Sequence, residues 1–372
     1  MSEEIEAPDQ APGAPHPRDT QRLFGQDVAE AAFLDAYTSG RLHHGWLLTG
    51  PRGVGKATLA WRIARFLLAT PPAEEDGLFG APPPPTTLDI DPEHPVSRRM
   101  AARAEPGLAA VTRTVNEDTK RLRNEIVVDD IRRLHKFFGL SAADGGRRVV
   151  IVDAADEMNT SAANALLKML EEPPARTTLL LISHQPTRLL PTIRSRCRVL
   201  RLSPLTPGDM TAALEQSGTE LPANPDHLAA LSSGSVGTAL RMITLGGLDI
   251  YAELVAILAS LPRLDRQRAL ALAEAAAQRG ATDKFELLLT LIDTALSRLA
   301  VTGATGAPPM PEAAQGEAET LLRLAQSAQK GRAWAEAATR ITQRTRHGAA
   351  VNLDPAALVL DTVFKMQETA SG

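Results

Sequence analysis

Three glycines and a lysine in the stretch GPRGVGKAT have the types and the spacing that bind phosphate. Gly50, Gly55 and Lys56 fall on the pattern G-x-x-x-x-G-K-[ST], and Gly53 lies inside it. Glycines let backbone N–H groups approach a phosphate closely, and the lysine of such a loop reaches the β- and γ-phosphates of a nucleotide. The stretch therefore predicts a nucleotide cradle at residues 50–58.

The position after the lysine departs from this pattern. That residue normally offers a hydroxyl to Mg²⁺, and here it is Ala57. Thr58 follows, but one position along a helix turns a side chain by about 100°. We count Thr58 among the candidate residues of a degenerate ATP site without expecting it to replace the missing ligand. The residues leave open whether ATP is bound.

A second motif, RRVVIVDAAD, carries the other metal anchor of such a site. An aspartate at the end of a hydrophobic strand usually holds the metal, and Asp153 follows an apolar run. Hydrolysing members of this class have a carboxylate next, whereas this chain has Ala154. Asp156 and Glu157 come later, and we interpret them as residues of a solvated loop or a helix cap. The two alanines together predict that ATP hydrolysis has been lost.

The neighbouring residues predict elements that would position these motifs. WLLTG (46–50), RRVVIVDAAD (147–156) and TTLLLIS (177–183) are typical of buried strands. A helix after the cradle would place one apolar face inward, formed by Leu59, Ile63, Phe66 and Leu67. Another helix, TSAANALLKMLEEPP, is predicted with Thr160 or Ser161 as its N-cap. Alternating strands and helices predict an α/β fold with a mostly parallel sheet.

The remaining segments suggest three further regions. Residues 1–20 are rich in proline and charge, which favours a disordered tail. Residues 70–100 contain too many prolines for a regular element, so we expect a surface insertion. After VLRLSPLTP the strands stop, and short helices follow over 204–247. From residue 248 to 372 we expect helices, with a Gly/Pro-rich loop at 302–311 and Asp354-Pro355 opening the last helix.

Composition excludes several classes of protein. The net charge of −4 gives no support to a basic nucleic-acid binder, so any DNA contact would be local or made by partners. A single cysteine, Cys197, excludes an internal disulfide and a thiolate zinc cluster. The N-terminus lacks the apolar core of a signal peptide, and we find no apolar run of membrane-spanning length. A cytoplasmic location is the expectation.

Five motifs in order resemble the clamp-loader branch of the AAA+ ATPases. They are LFGQ, GPRGVGKA, VVIVDAAD, KMLEEPP and SRC, and they span residues 23–200. Such machines open ring-shaped sliding clamps and place them on primed DNA. The resemblance implies an AAA+ P-loop domain over 21–203, a small helical lid over 204–247 and a helical collar over 248–372, the last of which would hold the chain in an oligomer.

Three departures from the family's motor subunits, of gamma/tau type, point to its stationary member. Motor subunits carry a hydroxyl, a glutamate and a lid arginine where this chain has Ala57, Ala154 and Gly237. The resemblance thus implies a subunit that does not hydrolyse ATP. Its partners would be the gamma/tau and delta subunits, with the sliding clamp and primer–template DNA reached through the complex. No polymerase activity of its own is expected.

The resemblance also gives a role to Arg196 in the Ser-Arg-Cys motif. This arginine would reach the γ-phosphate of ATP on the neighbouring motor subunit, as an arginine finger in trans. Without the resemblance, Arg194, Arg196 and Arg198 are an exposed basic run, and Cys197 is a packed small residue rather than a nucleophile. Relatives often carry a four-cysteine zinc module that this chain lacks, so we expect no zinc and no required cofactor.

Two alternatives remain open. The chain could be an ATP-hydrolysing motor that tolerates Ala57 and uses another carboxylate, such as Asp156. It could also be a different AAA+ adaptor, unrelated to replication. Hydrolysis by the isolated chain separates the first alternative from our interpretation, and association with clamp-loader partners separates the second.

Overall fold

A computed structural model describes residues 8–10, 13–70, 83–139 and 146–372. Its chain forms two compact units, one of Met1–Thr219 with Gly234–Gly237 and one of Glu220–Ser233 with Thr238–Gly372. The first unit contains α1 (Asp27–Thr38), β1 (Gly45–Thr49), α2 (Lys56–Ala69), α3 (Pro95–Ala101), β2 (Leu108–Val111), α4 (Val128–Gly139), β3 (Arg148–Val152), α5 (Thr160–Glu171), β4 (Thr177–Ser183), α6 (Pro191–Arg194), β5 (Arg198–Arg201) and α7 (Pro207–Gln216).

The five described strands form one parallel sheet in the order β2-β3-β4-β1-β5. All residues of β1 and β4 are buried, as expected for central strands with helices on both faces. The predicted α/β fold is therefore confirmed. Strand β2 lacked a sequence signal, because it is an edge strand of four residues that is only partly buried. Because the strands are parallel, the cradle after β1 and Asp153 after β3 lie at the same end of the sheet, where the carboxyl ends of the strands meet.

Two segments differ from the expectation that they lack packed structure. In the expected insertion over 70–100, residues 71–82 lie outside the described residues, but α3 is a helix with His94 as its N-cap and Pro95 at its first position. Leu88 is fully buried. In the expected disordered tail over 1–20, His16 is buried with its ring edge on Trp61 at 5.5 Å between centroids. Both segments therefore place side chains in packed surroundings, which the content of proline and charge did not indicate.

The structure places one helix N-cap at a different residue from the predicted one. Helix α5 differs, because Asn159 caps it by accepting a hydrogen bond from the N–H of Ala162, and Thr160 is already the first helical residue. Asn, Ser and Thr all cap helices well, so the sequence alone does not choose among neighbours.

The second unit is helical throughout its described elements. These are α8 (Pro225–Ser232), α9 (Val236–Leu245), α10 (Gly247–Ser260), α11 (Arg266–Ala276), α12 (Thr282–Thr305), α13 (Glu317–Leu324), α14 (Ala328–Ala350) and α15 (Pro355–Ser371). Asp354 and Pro355 open α15 as N-cap and first residue, as predicted. The predicted loop at 302–311 begins later, because α12 continues to Thr305. There Gly303 meets Gly331 of α14, and a Cβ on Gly303 would lie 2.4 Å from the Cα of Gly331.

The residues of the predicted lid, 204–247, are divided between the two units. Helix α7 belongs to the first unit, where the amide of Gln216 and the backbone of Arg22 exchange hydrogen bonds of 3.0 and 3.1 Å. Helix α8 and nearly all of α9 belong to the second unit. The turn at Gly234–Gly237 belongs to the first unit, and it contacts the cradle loop there.

Among the described residues, one helix has the length and the apolar composition that could cross a membrane, contrary to our expectation from apolar runs. It is Thr282–Thr305, and half of its most apolar window is buried inside the protein. Leu288, Leu291 and Leu296 are among its buried residues. Core helices of soluble proteins have the same composition, so length and hydropathy alone do not distinguish the two cases.

Candidate functional site: a closed cradle and an accessible arginine

The loop between β1 and α2 needs glycine at three positions. Gly50, Gly53 and Gly55 have φ angles of 142°, 75° and 97°, a region that other residues rarely adopt. Space is also limited, because a Cβ on Gly50 would lie 2.3 Å from the carbonyl oxygen of Leu202, and one on Gly55 would lie 2.5 Å from Leu23. The loop thus has the glycine pattern of a phosphate cradle and is closely surrounded by the chain itself.

Lys56 is directed at the loop rather than out of it. Its Nζ donates hydrogen bonds to the carbonyl oxygens of Gly50 at 2.8 Å and Pro51 at 2.5 Å. The residue is 3% exposed, and desolvation lowers the pKa of its ammonium to about 8, although Asp153 and Asp156 oppose that shift. The group that would bind phosphate is therefore satisfied by the loop's own backbone.

Asp153 lies at the end of β3, as the sequence predicted. Desolvation raises the pKa of its carboxyl to about 7, and the charge of Asp9 adds to this effect, while Lys56 opposes it. Asp153 therefore lies in a desolvated environment. Ala154 follows it, and Ala57 offers no oxygen at the start of α2.

Asp156 is not a solvated residue, contrary to the sequence interpretation. It is 8% exposed, and its two carboxylate oxygens accept the backbone N–H groups of His184 and Gln185, each at 3.0 Å. Both oxygens are engaged in holding the turn after β4. Glu157 pairs with Arg52 and Arg113, each at 2.9 Å. Both carboxylates are thus engaged in contacts within the protein.

The turn Gly234–Gly237 lies on the cradle, which sequence reasoning missed. The N–H of Gly237 donates to the carbonyl oxygen of Gly53 at 3.1 Å. A Cβ on Gly237 would lie 3.0 Å from the Cα of Gly53, and one on Gly53 would lie 2.3 Å from Oγ of Ser235. The sequence did contain a signal, since Gly237 stands where motor subunits carry an arginine. Only the fold shows that this glycine lets the backbone at Gly237 approach the backbone at Gly53.

These features fit a bound Mg·ATP poorly. Lys56 is engaged, Ala57 offers no ligand oxygen, Ala154 offers no carboxylate, and a second backbone segment lies against Gly53. Thr58 is in the first turn of α2 and is partly buried. No group of three or more His, Cys, Asp or Glu that could hold a metal ion occurs among the described residues.

Arg196 lies in the turn between α6 and β5. Its side chain is 39% exposed, and its Nη2 pairs with Oε1 of Glu171 at 2.9 Å. Its Nη1 donates to the carbonyl oxygen of Thr192 at 3.1 Å. Arg198 instead stacks on Trp46 at 5.3 Å, so the basic run is not uniformly solvated. Burial raises the pKa of Cys197 to about 12, which excludes a thiolate nucleophile at neutral pH.

About half of the chain matches a family of known proteins. Residues 25–206 match the family model described as DNA polymerase III, delta subunit. The DNA polymerase III subunit delta′ of Pseudomonas aeruginosa is 41% identical over 57% of this chain and 59% of its own length. That of Escherichia coli is 32% identical over 56% of each chain. This chain thus spans somewhat more than half the length of these relatives.

Among the solved structures with a similar fold, one matches a large share of both chains. It is a DNA polymerase III gamma subunit-related protein from Thermotoga maritima, matched over 91% of this chain and 99% of its own, with 17% identity and a TM-score of 0.42.

Proposed function

Through residues 25–206 the chain belongs to the DNA polymerase III delta-prime family, and on this basis we propose that it is a non-hydrolysing subunit of a clamp loader. In this role it helps to place a sliding clamp on primed DNA during replication. It contributes Arg196 to the ATP site of a neighbouring motor subunit. The observation that carries the proposal is the contrast between a closed cradle and an accessible arginine in the same unit.

Arg196 suits a role in trans. Its guanidinium carries five N–H donors in a planar fork that matches phosphate oxygens. The contacts with Thr192 and Glu171 engage Nη1 and Nη2, and 39% of the side chain stays exposed. An arginine that neutralises charge on a transferring phosphoryl group accelerates the reaction by about 10³–10⁵ in other NTPases. The chain would therefore supply chemistry to its neighbour without performing it at its own cradle.

The chain's own cradle is proposed to serve as a rigid support. Lys56 holds the carbonyl oxygens of Gly50 and Pro51, and Gly237 holds that of Gly53. ATP would have to break these contacts before its phosphates could reach the loop. We propose at most that ATP binds at this site without being hydrolysed. The proposal includes no zinc and no other cofactor.

The partners follow from the family. We assign the gamma/tau and delta subunits as direct partners, with the clamp and primer–template DNA contacted through the complex in the cytoplasm. The helical part from about residue 248 onward would hold the chain in this hetero-oligomer, as a collar. A chain that ends at residue 249 should then fail to co-purify with the partner subunits, and its retention in the complex would contradict this assignment.

The decisive experiment measures ATP turnover by the reconstituted complex. Arg196→Ala should assemble normally and lower the kcat of the motor subunits strongly. Arg194→Ala is the matched control, because Arg194 is an exposed arginine two residues away. Equal turnover by the wild type and Arg196→Ala would refute the role in trans.

A second experiment tests the chain alone with Mg²⁺ and ATP. We expect no turnover by the wild type and none by Lys56→Ala. Turnover that disappears in Lys56→Ala would identify a motor subunit. Failure to co-purify with any clamp-loader subunit would favour the unrelated adaptor.

A further inference from the structure

The side chain of Arg196 is held by the last turn of a neighbouring helix. Glu171, the final residue of α5, places Oε1 at 2.9 Å from Nη2 of Arg196. The carbonyl oxygen of Thr192 holds Nη1 from the other side at 3.1 Å. Nε and the second hydrogens of both terminal nitrogens are not used in these two contacts. The two contacts therefore fix the direction of the guanidinium and leave donors for a phosphate.

The last turn of α5 is itself fixed to the sheet. Nε2 of His44 lies 3.0 Å from the carbonyl oxygen of Leu170, the residue before Glu171. Pro173 and Pro174 prevent the helix from continuing. His44 directly precedes β1, so this contact ties the end of α5, and with it Glu171, to a central strand of the sheet.

Close packing joins the same helix end to the turn that carries the arginine. A Cβ on Gly45, the first residue of β1, would lie 2.9 Å from Leu170 and 3.2 Å from the carbonyl oxygen of Arg196. The absence of a side chain at Gly45 thus lets the end of α5 and the Arg196 turn approach one strand from two sides. Glu171 and Arg196 are placed by shared backbone packing, which an incidental surface pair would lack.

We propose that Glu171 is a positioning residue for Arg196. It holds the guanidinium in the direction from which it meets the γ-phosphate on the neighbouring subunit, and it limits the rotamers that the free side chain would sample. This inference rests on the proposed function, since it assigns a partner to the same arginine. It adds a residue from a different motif, KMLEEPP, to the chemistry of Ser-Arg-Cys.

The size of the effect follows from exposure. Both side chains are about two-fifths exposed, at 44% for Glu171 and 39% for Arg196. Exposed ion pairs are weak, so loss of the pair should change the rate by about two- to fivefold. The loss belongs in kcat, because the arginine acts on charge that develops in the transition state. KM for ATP should stay unchanged.

The test uses ATP turnover by the reconstituted complex with saturating partner subunits. Glu171→Ala should lower kcat about two- to fivefold. Glu171→Gln keeps an acceptor oxygen for Nη2 and should retain most of the rate. Glu172→Ala is the matched control, because Glu172 is the exposed neighbour and forms no ion pair with the described residues. In an Arg196→Ala background, Glu171→Ala should cause no further loss.

The outcomes separate this inference from the proposed function. If Arg196→Ala lowers turnover and Glu171→Ala does not, the role in trans stands and the positioning role is wrong. If Glu171→Ala lowers turnover equally with and without Arg196, or raises KM instead, Glu171 acts through general structure and the inference is again overturned. If Arg196→Ala has no effect, both the proposed function and this inference fail.

Discussion

Small residues decide the state of the cradle at the residue scale. Ala57 lacks the oxygen that would contact a metal, Ala154 lacks the carboxylate that follows the metal anchor in hydrolysing members, and Gly237 has no side chain in the turn at Gly234–Gly237. Without a side chain, that turn approaches the cradle until Gly237 donates to Gly53 at 3.1 Å. The missing oxygens and the close approach of the turn are therefore separate physical features, and both oppose the binding of Mg·ATP at the cradle.

Gly237→Ala should destabilise this contact. The added methyl would lie 3.0 Å from the Cα of Gly53, which is backbone and cannot rotate away. We expect a loss of about 1–3 kcal/mol in the free energy of unfolding, measured by denaturant titration. Gly208→Ala is the control, since nothing lies within 4 Å of its Cβ position. A variant as stable as the control would mean that the turn does not press on the cradle.

Asp153 should give the protein a pH dependence that Asp153→Asn lacks. Desolvation raises the pKa of its carboxyl from 3.8 to about 7 in the folded chain. Between these values the folded state binds more protons than the unfolded state, so stability falls as pH rises through that window. Denaturant titrations at pH 4.5 and pH 8 should show a larger decline for the wild type than for Asp153→Asn. Parallel declines would contradict the raised pKa.

At the element scale, α5 links three parts of the site. Its N-terminus follows the turn that carries Asp156, its buried face includes Leu166 and Leu170, and its last residue contacts Arg196. The fixed C-terminus explains why a glutamate in one motif and an arginine in another lie side by side although 25 positions separate them. Helix position, rather than local sequence, sets the geometry of the arginine.

Asn159→Ala should weaken α5 at its other end. The amide oxygen of Asn159 accepts the N–H of Ala162 at 2.9 Å, and alanine would leave that donor without its partner. We expect a loss of about 0.5–2 kcal/mol in the free energy of unfolding. Thr160→Ala provides the comparison, because Thr160 is exposed and already helical. If Thr160→Ala proves the more harmful change, the cap has been assigned to the wrong residue.

At the scale of the whole molecule, the second unit depends on a buried polar network. Glu317 is 1% exposed, and its carboxylate accepts from Arg298 at 2.7 and 2.9 Å. Tyr251 donates to the same carboxylate at 2.5 Å, and the N–H of Ala313 donates at 2.6 Å. The network ties α10, α12 and the loop before α13 together, so this unit is held by charge and by apolar packing.

Glu317→Ala should destabilise the second unit more than any surface change. It would leave the guanidinium of Arg298, only 12% exposed, without its carboxylate. The expected cost is about 3–5 kcal/mol in the free energy of unfolding. Glu319→Ala, an exposed glutamate in the same helix, should stay within about 0.5 kcal/mol of the wild type. Thermal unfolding followed by circular dichroism measures both, and similar curves would remove the network as a source of stability.

The sequence by itself determined the α/β fold, the strands β1, β3 and β4, the place of the cradle and the residues missing from it. These follow from local patterns, because apolar runs, glycine spacing and absent oxygens are properties of consecutive residues. Only the tertiary structure decided that Lys56 turns back onto Gly50 and Pro51, that Gly237 meets Gly53, and that Glu171 holds Arg196. Gly237 and Gly53 are far apart in the chain, and so are Glu171 and Arg196. The hydrogen bonds of Lys56 depend instead on the conformation of the loop itself. The packing of the sheet and its helices alone sets those distances.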